Sequence, residues 1–285
     1  MTFKAGSFKA RSTVAEAIQP ALGLCSGSLA STSVAELIGI AGDNGFSSIM
    51  ILPDSNPPPR GEVRRLLDEN RITRVILDGV LGMLPRCRFA QEHFITAENH
   101  FRAAEIYHVT HFNVPHYQGD PDTPMSAFVD ALKPFCEQAA QRGIVVSLEF
   151  LPGTGIPDIP RAMDIVTATA APNLGITIDT WHMARTGATP ADIRALPIGI
   201  IRDFHISDRA TDQDIESDSF GRRLPGEGDQ ALGEIIDAVL ENAPGMAISA
   251  EIFSHALQNL PPREAARKIA QALHRVVRRT GTANL

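Results

Sequence analysis

About eight times along this chain, a short apolar run rich in β-branched residues gives way to a polar loop and then to an amphipathic helical pattern. The runs lie within ALGLCSGSL (21–29), SSIMILPD (47–54), TRVILDGVLG (73–82), HFNVPHY (111–117), IVVSLEFLP (144–152), LGITIDTWH (174–182), IRDFHISD (201–208) and GMAISAEIFSH (245–255). Near-continuous apolar character marks strands covered on both faces, which is the habit of parallel sheets flanked by helices. The intervening helices tend to begin near Ser, Thr, Asp or Pro and to end at Gly or Asn, as at Gly45, Gly143 and Asn242. Two α/β architectures share this alternation, the (β/α)8 barrel and the doubly wound sheet. A doubly wound sheet would normally place a Gly-rich phosphate loop after its first strand, and LGLCSGSLA is not GxGxxG. The expectation is a single-domain (β/α)8 TIM barrel over residues 19–285, preceded by an N-terminal extension, 1–18, that packs loosely or meets another copy of the chain.

Composition removes several function classes. The net charge of -7 is the wrong sign for a nucleic-acid footprint. No window has the roughly 18 consecutive apolar residues of a membrane span, and the first residues lack the apolar core of a secretory signal. Cys25, Cys87 and Cys136 form no CxxC pair, so neither a zinc ribbon nor a thioredoxin-type motif is present, and sparse thiols suit a cytoplasmic location. The lysines, Lys4, Lys9, Lys133 and Lys268, fall at no predicted strand end, which argues against Schiff-base chemistry.

A (β/α)8 barrel carries its chemistry at the C-terminal ends of its strands. The fifth run ends in Glu149, the sixth in Asp179 followed by Trp181 and His182, the seventh in His205 followed by Asp208 and Arg209, and the eighth in Glu251. Three carboxylates converging on one barrel mouth repel one another unless a cation lies between them. Oxygen donors with one imidazole fit a single divalent metal ion, with Mn2+ first and Mg2+, Co2+ or Zn2+ as alternatives. The predicted ligands are Glu149, Asp179, His205 and Glu251.

The segments LEF, IDTWH, FHISD, PGEGD and AEIF, in this order and spacing, resemble the sugar phosphate isomerase/epimerase family of xylose isomerase-like TIM barrels, including the ketose 3-epimerases and inosose dehydratases. The resemblance spans residues 20–280 or so and is strongest from Glu149 to Glu251. It implies the same fold and a metal held by those same residues. It also implies that Glu149 and Glu251 act as acid and base on opposite faces of a substrate, that His182 contacts substrate, and that the arginine after the metal histidine, here Arg209, does so too. Relatives in this family are often homo-oligomers, so a homo-oligomer is expected.

A metal that binds adjacent carbonyl and hydroxyl oxygens stabilises an enediolate, and a glutamate removes the acidified proton. Return of that proton to the other face epimerises, return to the neighbouring carbon isomerises, and loss of a β-hydroxyl dehydrates. The predicted function is isomerisation or epimerisation of a small polyhydroxy carbonyl compound. The alternatives are a lyase or dehydratase acting on a keto-sugar, keto-inositol or keto-glycoside, and a non-catalytic metal-stabilised accessory subunit. His116 at the fourth strand end and Trp181, as a stacking surface, are the further substrate candidates. Asp54 and Asp78 are expected to cap the helices that follow them, with binding of substrate hydroxyls as the alternative. Arg222 and Arg223 are candidates for receiving a phosphate, although no compact phosphate loop accompanies them and an unphosphorylated substrate is favoured. The long polar segment after Asp208 is expected to form a lid or an oligomer contact.

Overall fold

The computed structural model describes residues 20–89, 96–209 and 220–282. Its strands are β1 (Leu22–Cys25), β2 (Ser48–Ile51), β3 (Arg74–Leu77), β4 (His111–Pro115), β5 (Val145–Glu149), β6 (Leu174–Asp179), β7 (Ile201–Ile206) and β8 (Ile248–Ala250). Each pairs in parallel with the next, and β8 closes on β1. Each lies within one of the runs identified in the sequence. The described helices are α1 (Val34–Asp43), α2 (Arg60–Glu69), α3 (Ala97–Tyr107), α4 (Met125–Ala140), α5 (Ile159–Thr169), α6 (Thr180–Thr186), α7 (Pro190–Arg194), α8 (Leu232–Asn242), α9 (His255–Gln258) and α10 (Pro262–Thr282). The N-terminal extension and residues 210–219 of the polar segment after Asp208 lie outside the described residues. Among the described residues no helix is long and apolar enough to cross a membrane.

The main hydrophobic core lies between strands and helices, where Leu24, Ile49, Phe112, Val146, Leu148, Ile176, Ile178, Phe204 and Ile206 pack against the helical ring. The barrel interior is different. On β1–β3 a small separate cluster of Cys25, Met50 and Ile76 fills it. On β4–β8 the buried polar residues include Asn113, Ser147, Thr177, Asp203 and His205. Barrel interiors are usually filled by branched apolar side chains, so a polar half directs attention to that side of the mouth.

One irregularity sets which residues of β7 face inward. Ile176 pairs with Ile201, but the next pair is Thr177 with Asp203, so Arg202 is an extra residue. Such a bulge shifts the strand by one position. Ile201 packs in the outer core before the bulge, and Phe204 and Ile206 do so after it, which leaves Asp203 and His205 facing inward. Gly175 makes room: a Cβ there would lie 2.2 Å from the Ile200 carbonyl oxygen and 2.4 Å from Cγ of Arg202. Asn242, at the end of α8, anchors the approach to β7. Its Oδ1 accepts from the Gly199 and Ile201 amides, and its Nδ2 donates to the Leu196 and Pro197 carbonyls.

Candidate metal centre

Glu149, Asp179, His205 and Glu251 come together at the C-terminal mouth, each offering a ligand atom within 4.8 Å of the others. All four are buried. The acid and histidine of IDTWH reach the cluster for a local reason. The strand stops at Asp179, which becomes the N-cap of α6 and accepts the Trp181 amide on Oδ1 at 2.7 Å. Its Oδ2 remains for the cluster. One helical turn later His182 returns to the same side, with Nε2 3.7 Å from both Asp179 Oδ2 and Glu149 Oε1.

His205 is oriented from below. Its Nε2 lies 3.2 Å from Asp203 Oδ2, while Nδ1 points at the carboxylates, 3.6 Å from Glu149 Oε1 and 3.8 Å from Glu251 Oε2, without a hydrogen-bond partner. A buried ring nitrogen left unpaired among converging carboxylate oxygens, with its other nitrogen held by a carboxylate, is what a metal-ligating histidine requires. The hard oxygen donors and single imidazole suit a divalent ion. Glu149 is fixed in the same way: Asn113 Nδ2 donates to its Oε2 at 2.7 Å and to Asp78 Oδ1 at 3.1 Å, and Thr177 donates to Asn113 Oδ1 at 2.8 Å.

The electrostatics are those of crowded acids. Burial alone would raise the Asp179 carboxyl, but Arg222 and His182 outweigh it and hold the group well below the usual carboxylate range. At Glu251 burial wins over Arg222 and His205, and the carboxyl is pushed well above its ordinary value. Burial keeps His182 below the usual imidazole value and so favours its neutral form. His205 goes the other way, because Asp203 and Glu251 together overcome the cost of burial. Neighbouring groups driven in opposite directions mark functional sites.

The arginine hydrogen-bonded to the cluster, among the described residues, is Arg222 rather than Arg209. Arg222 is buried, and its Nη1 donates to Glu251 Oε2 at 2.7 Å, to the Glu251 carbonyl at 3.0 Å and to Asp179 Oδ2 at 3.1 Å. The guanidinium lies over Phe253 at 4.7 Å and beside Trp181 at 5.6 Å. Its backbone is clamped on both sides. Arg223 exchanges hydrogen bonds with Asp208, and the Arg222 amide donates to the Phe253 carbonyl. Asp208 holds the following turn, its carboxylate accepting from the amides of Arg209, Gly226, Gly228 and Gln230. Arg209 joins this turn through its backbone, and its Nε is buried without a partner.

Other expectations are revised by the packing. His116 is fully buried, with Nε2 on the Pro85 carbonyl, Nδ1 accepting the Gly155 amide, and its ring against Phe128. Both nitrogens are engaged with backbone, so it ties loops together instead of meeting substrate. Trp181 is buried in the first turn of α6 beside Arg222, which removes its face from solvent. Asp54 serves α1, whose N-cap is Ser33, rather than the helix after it, accepting the Val34 amide and the Tyr107 hydroxyl. Asp78 is no cap either; it faces the mouth between Cys25 and Asn113. Arg222 lies against carboxylates rather than in a phosphate cradle. Asn113 and Asp203 escaped the sequence reading, and Arg222 entered it only as a phosphate candidate. The first two are in phase with inward-facing neighbours, but an inward phase alone does not separate a polar filler from a functional residue.

Residues 38–276 match the xylose isomerase-like TIM barrel family. The chain belongs to that family. A curated relative, an inosose isomerase from Halalkalibacterium halodurans, is 27% identical over 146 residues, which are 48% of this chain and 49% of the relative. The match thus spans about half the length of that curated relative. Among solved structures, an IolI protein with a bound zinc atom superposes with a TM-score of 0.80 at 17% identity, covering 91% of this chain and 99% of the other. An L-ribulose 3-epimerase superposes with a TM-score of 0.73 at 15% identity, covering 92% and 96%. At such identities these superpositions establish the shared barrel.

Proposed function

We propose that this protein is a divalent-metal-dependent isomerase or epimerase of a small polyhydroxy carbonyl compound. The observation that carries the reading is His205 Nδ1, buried and unpaired, facing Glu149, Asp179 and Glu251. The inosose isomerase relative and the epimerase neighbour agree with it in chemical class. Glu149, Asp179, His205 and Glu251 would hold the ion, which supplies polarisation of the substrate carbonyl and thereby acidifies the adjacent C–H.

The remaining work falls to the chain itself. Glu149 and Glu251 come from β5 and from the end of β8, so they approach a substrate from two sides and serve as base and acid. Asn113 holds one oxygen of Glu149 and leaves the other toward His182 and the mouth. Neutral His182 is placed to hydrogen-bond a substrate hydroxyl. Arg222 is fixed by aromatic rings and carboxylates, and offers positive charge to a developing oxyanion. The buried mouth limits water around the acidified carbon.

The test is solvent deuterium exchange into a panel of ketoses and inososes, with wild type and Glu149→Gln loaded with Mn2+. Exchange at the carbon next to the carbonyl in wild type, lost in Glu149→Gln, is the expected result, and the position of deuterium separates epimerised, isomerised and dehydrated products. Exchange that persists unchanged in Glu149→Gln would overturn the assignment of the base.

A further inference from the structure

We infer that the ion pair of Arg74 with the buried Asp203 is a positioning device that fixes the orientation of the His205 ring and tunes how tightly the site holds a metal ion. The inference rests on the metal reading above and goes beyond it to residues outside the ligand set.

Asp203 is fully buried and every contact of its carboxylate has a direction. Oδ2 faces His205 Nε2 at 3.2 Å. Oδ1 accepts from its neighbour's amide, Phe204 N, at 2.9 Å and from Arg74 Nη2 at 3.2 Å. The same guanidinium nitrogen donates to the Arg202 carbonyl at 2.7 Å. A histidine whose Nε2–H is given to a fixed carboxylate presents the lone pair of Nδ1 to a metal ion, and the ring cannot turn without breaking that bond.

The arrangement has features of a built one. Arg74 begins β3 and Asp203 lies on β7, four strands away around an eight-stranded closed barrel, so the arginine crosses the interior to reach it. Small residues leave it room: Gly23 is in register with Ser48 and Ser249, and Ser48 with Arg74. The bulge at Arg202 brings Asp203 inward in phase with His205. At the barrel floor Arg74 borders a cavity of about 500 Å³ that also touches His111 and Arg202, so the guanidinium keeps some hydration while its carboxylate partner keeps none. A buried ion pair is weak as a stabiliser, because desolvation cancels much of its attraction. Its position under the metal histidine gives it another use.

The test compares wild type, Asp203→Asn and the uncharged double variant Arg74→Met with Asp203→Leu, each confirmed folded by circular dichroism. The double variant guards against the unpaired arginine that the single one leaves behind. The probe is Zn2+ alone, titrated against a chelating indicator, with the imidazole N–H proton resonances of the zinc-loaded proteins as a second readout. Wild type is expected to show a downfield N–H resonance from His205. Both variants are expected to lose or shift it and to bind Zn2+ about 10- to 100-fold more weakly. Folded variants that bind within threefold of wild type and retain the resonance would overturn the inference while leaving the metal centre intact. A wild type that binds no Zn2+ would overturn the metal reading and this inference with it.

Discussion

Asp208→Asn should detach the turn that carries Arg222. The carboxylate is buried, and its two oxygens divide the work: Oδ2 accepts Gly226 and Gly228 at 2.9 and 3.0 Å, and Oδ1 accepts Arg209 and Gln230 at 2.9 and 3.3 Å. Asparagine has the same shape but replaces one oxygen with an NH2 group, which would face two backbone N–H donors. Two hydrogen bonds to a charged acceptor are lost, at about 1.5–3 kcal/mol each. Allowing for relaxation of a surface turn, the net loss is about 3 kcal/mol, or a fall in Tm of about 6–12 °C for a chain of this size. Urea denaturation and calorimetry would read the stability. Limited proteolysis would show whether the turn opens before the barrel. Because Arg222 is clamped by this turn, kcat should fall together with stability. Gly228→Ala tests the same turn from the other side, since a Cβ there would lie 1.9 Å from the Arg209 carbonyl oxygen. An Asp208→Asn protein within about 0.5 kcal/mol of wild type, the scale of an ordinary surface change, would refute the reasoning.

The other predictions concern neighbouring parts of the same account. His116→Phe keeps the ring but strands the Gly155 amide and the Pro85 carbonyl, so stability should drop by about 2–4 kcal/mol while KM for an accepted substrate stays within a few-fold; a large KM change with unchanged stability would restore His116 to the substrate site. Burial lowers the pKa of His111 to about 3, with Arg74 adding to the effect. Since the unfolded chain binds that proton near pH 6.5, stability from this group is full above about 6.5 and is lost as pH falls toward 3. Urea midpoints in the presence of a chelator should therefore decline on acidification, and His111→Asn should flatten the slope. Restoring Mn2+ at about a hundred times its Kd should stabilise the metal-free protein by about 2.7 kcal/mol, readable as a rise in Tm.

Much of the barrel is written in the chain at short range. Each strand is a compact apolar run, and the acids that end β5 and β6 and follow β8 stand out because nothing else in those runs is charged. Asp179 and His182 were legible for another reason: an acid that caps a helix and a residue one turn later share a side, whatever the rest of the fold does. The parts that were not legible depend on distance or phase. Arg222 reaches the cluster only because Asp208 and Phe253 pin its backbone, and no local pattern in RRLPGEGD shows that the first arginine turns inward while Arg209, nearer to His205, stays with the turn. Asp203 shares the inward phase of His205, set for both by the bulge at Arg202, and no local pattern separates it from a polar filler. His116 occupies a strand end like the proposed metal ligands, yet two backbone groups from separate loops consume it. Strand-end position selects candidates, and hydrogen-bond satisfaction decides among them.

The most direct measurement is the divalent-metal stoichiometry of the purified protein after chelation and reconstitution, by elemental analysis, for wild type and for Asp179→Asn with Glu251→Gln. The account predicts one ion per wild-type chain and a loss of that ion in the double variant. A wild type that retains no ion, or a double variant that retains it as well as wild type, would contradict the metal centre on which the proposed chemistry depends.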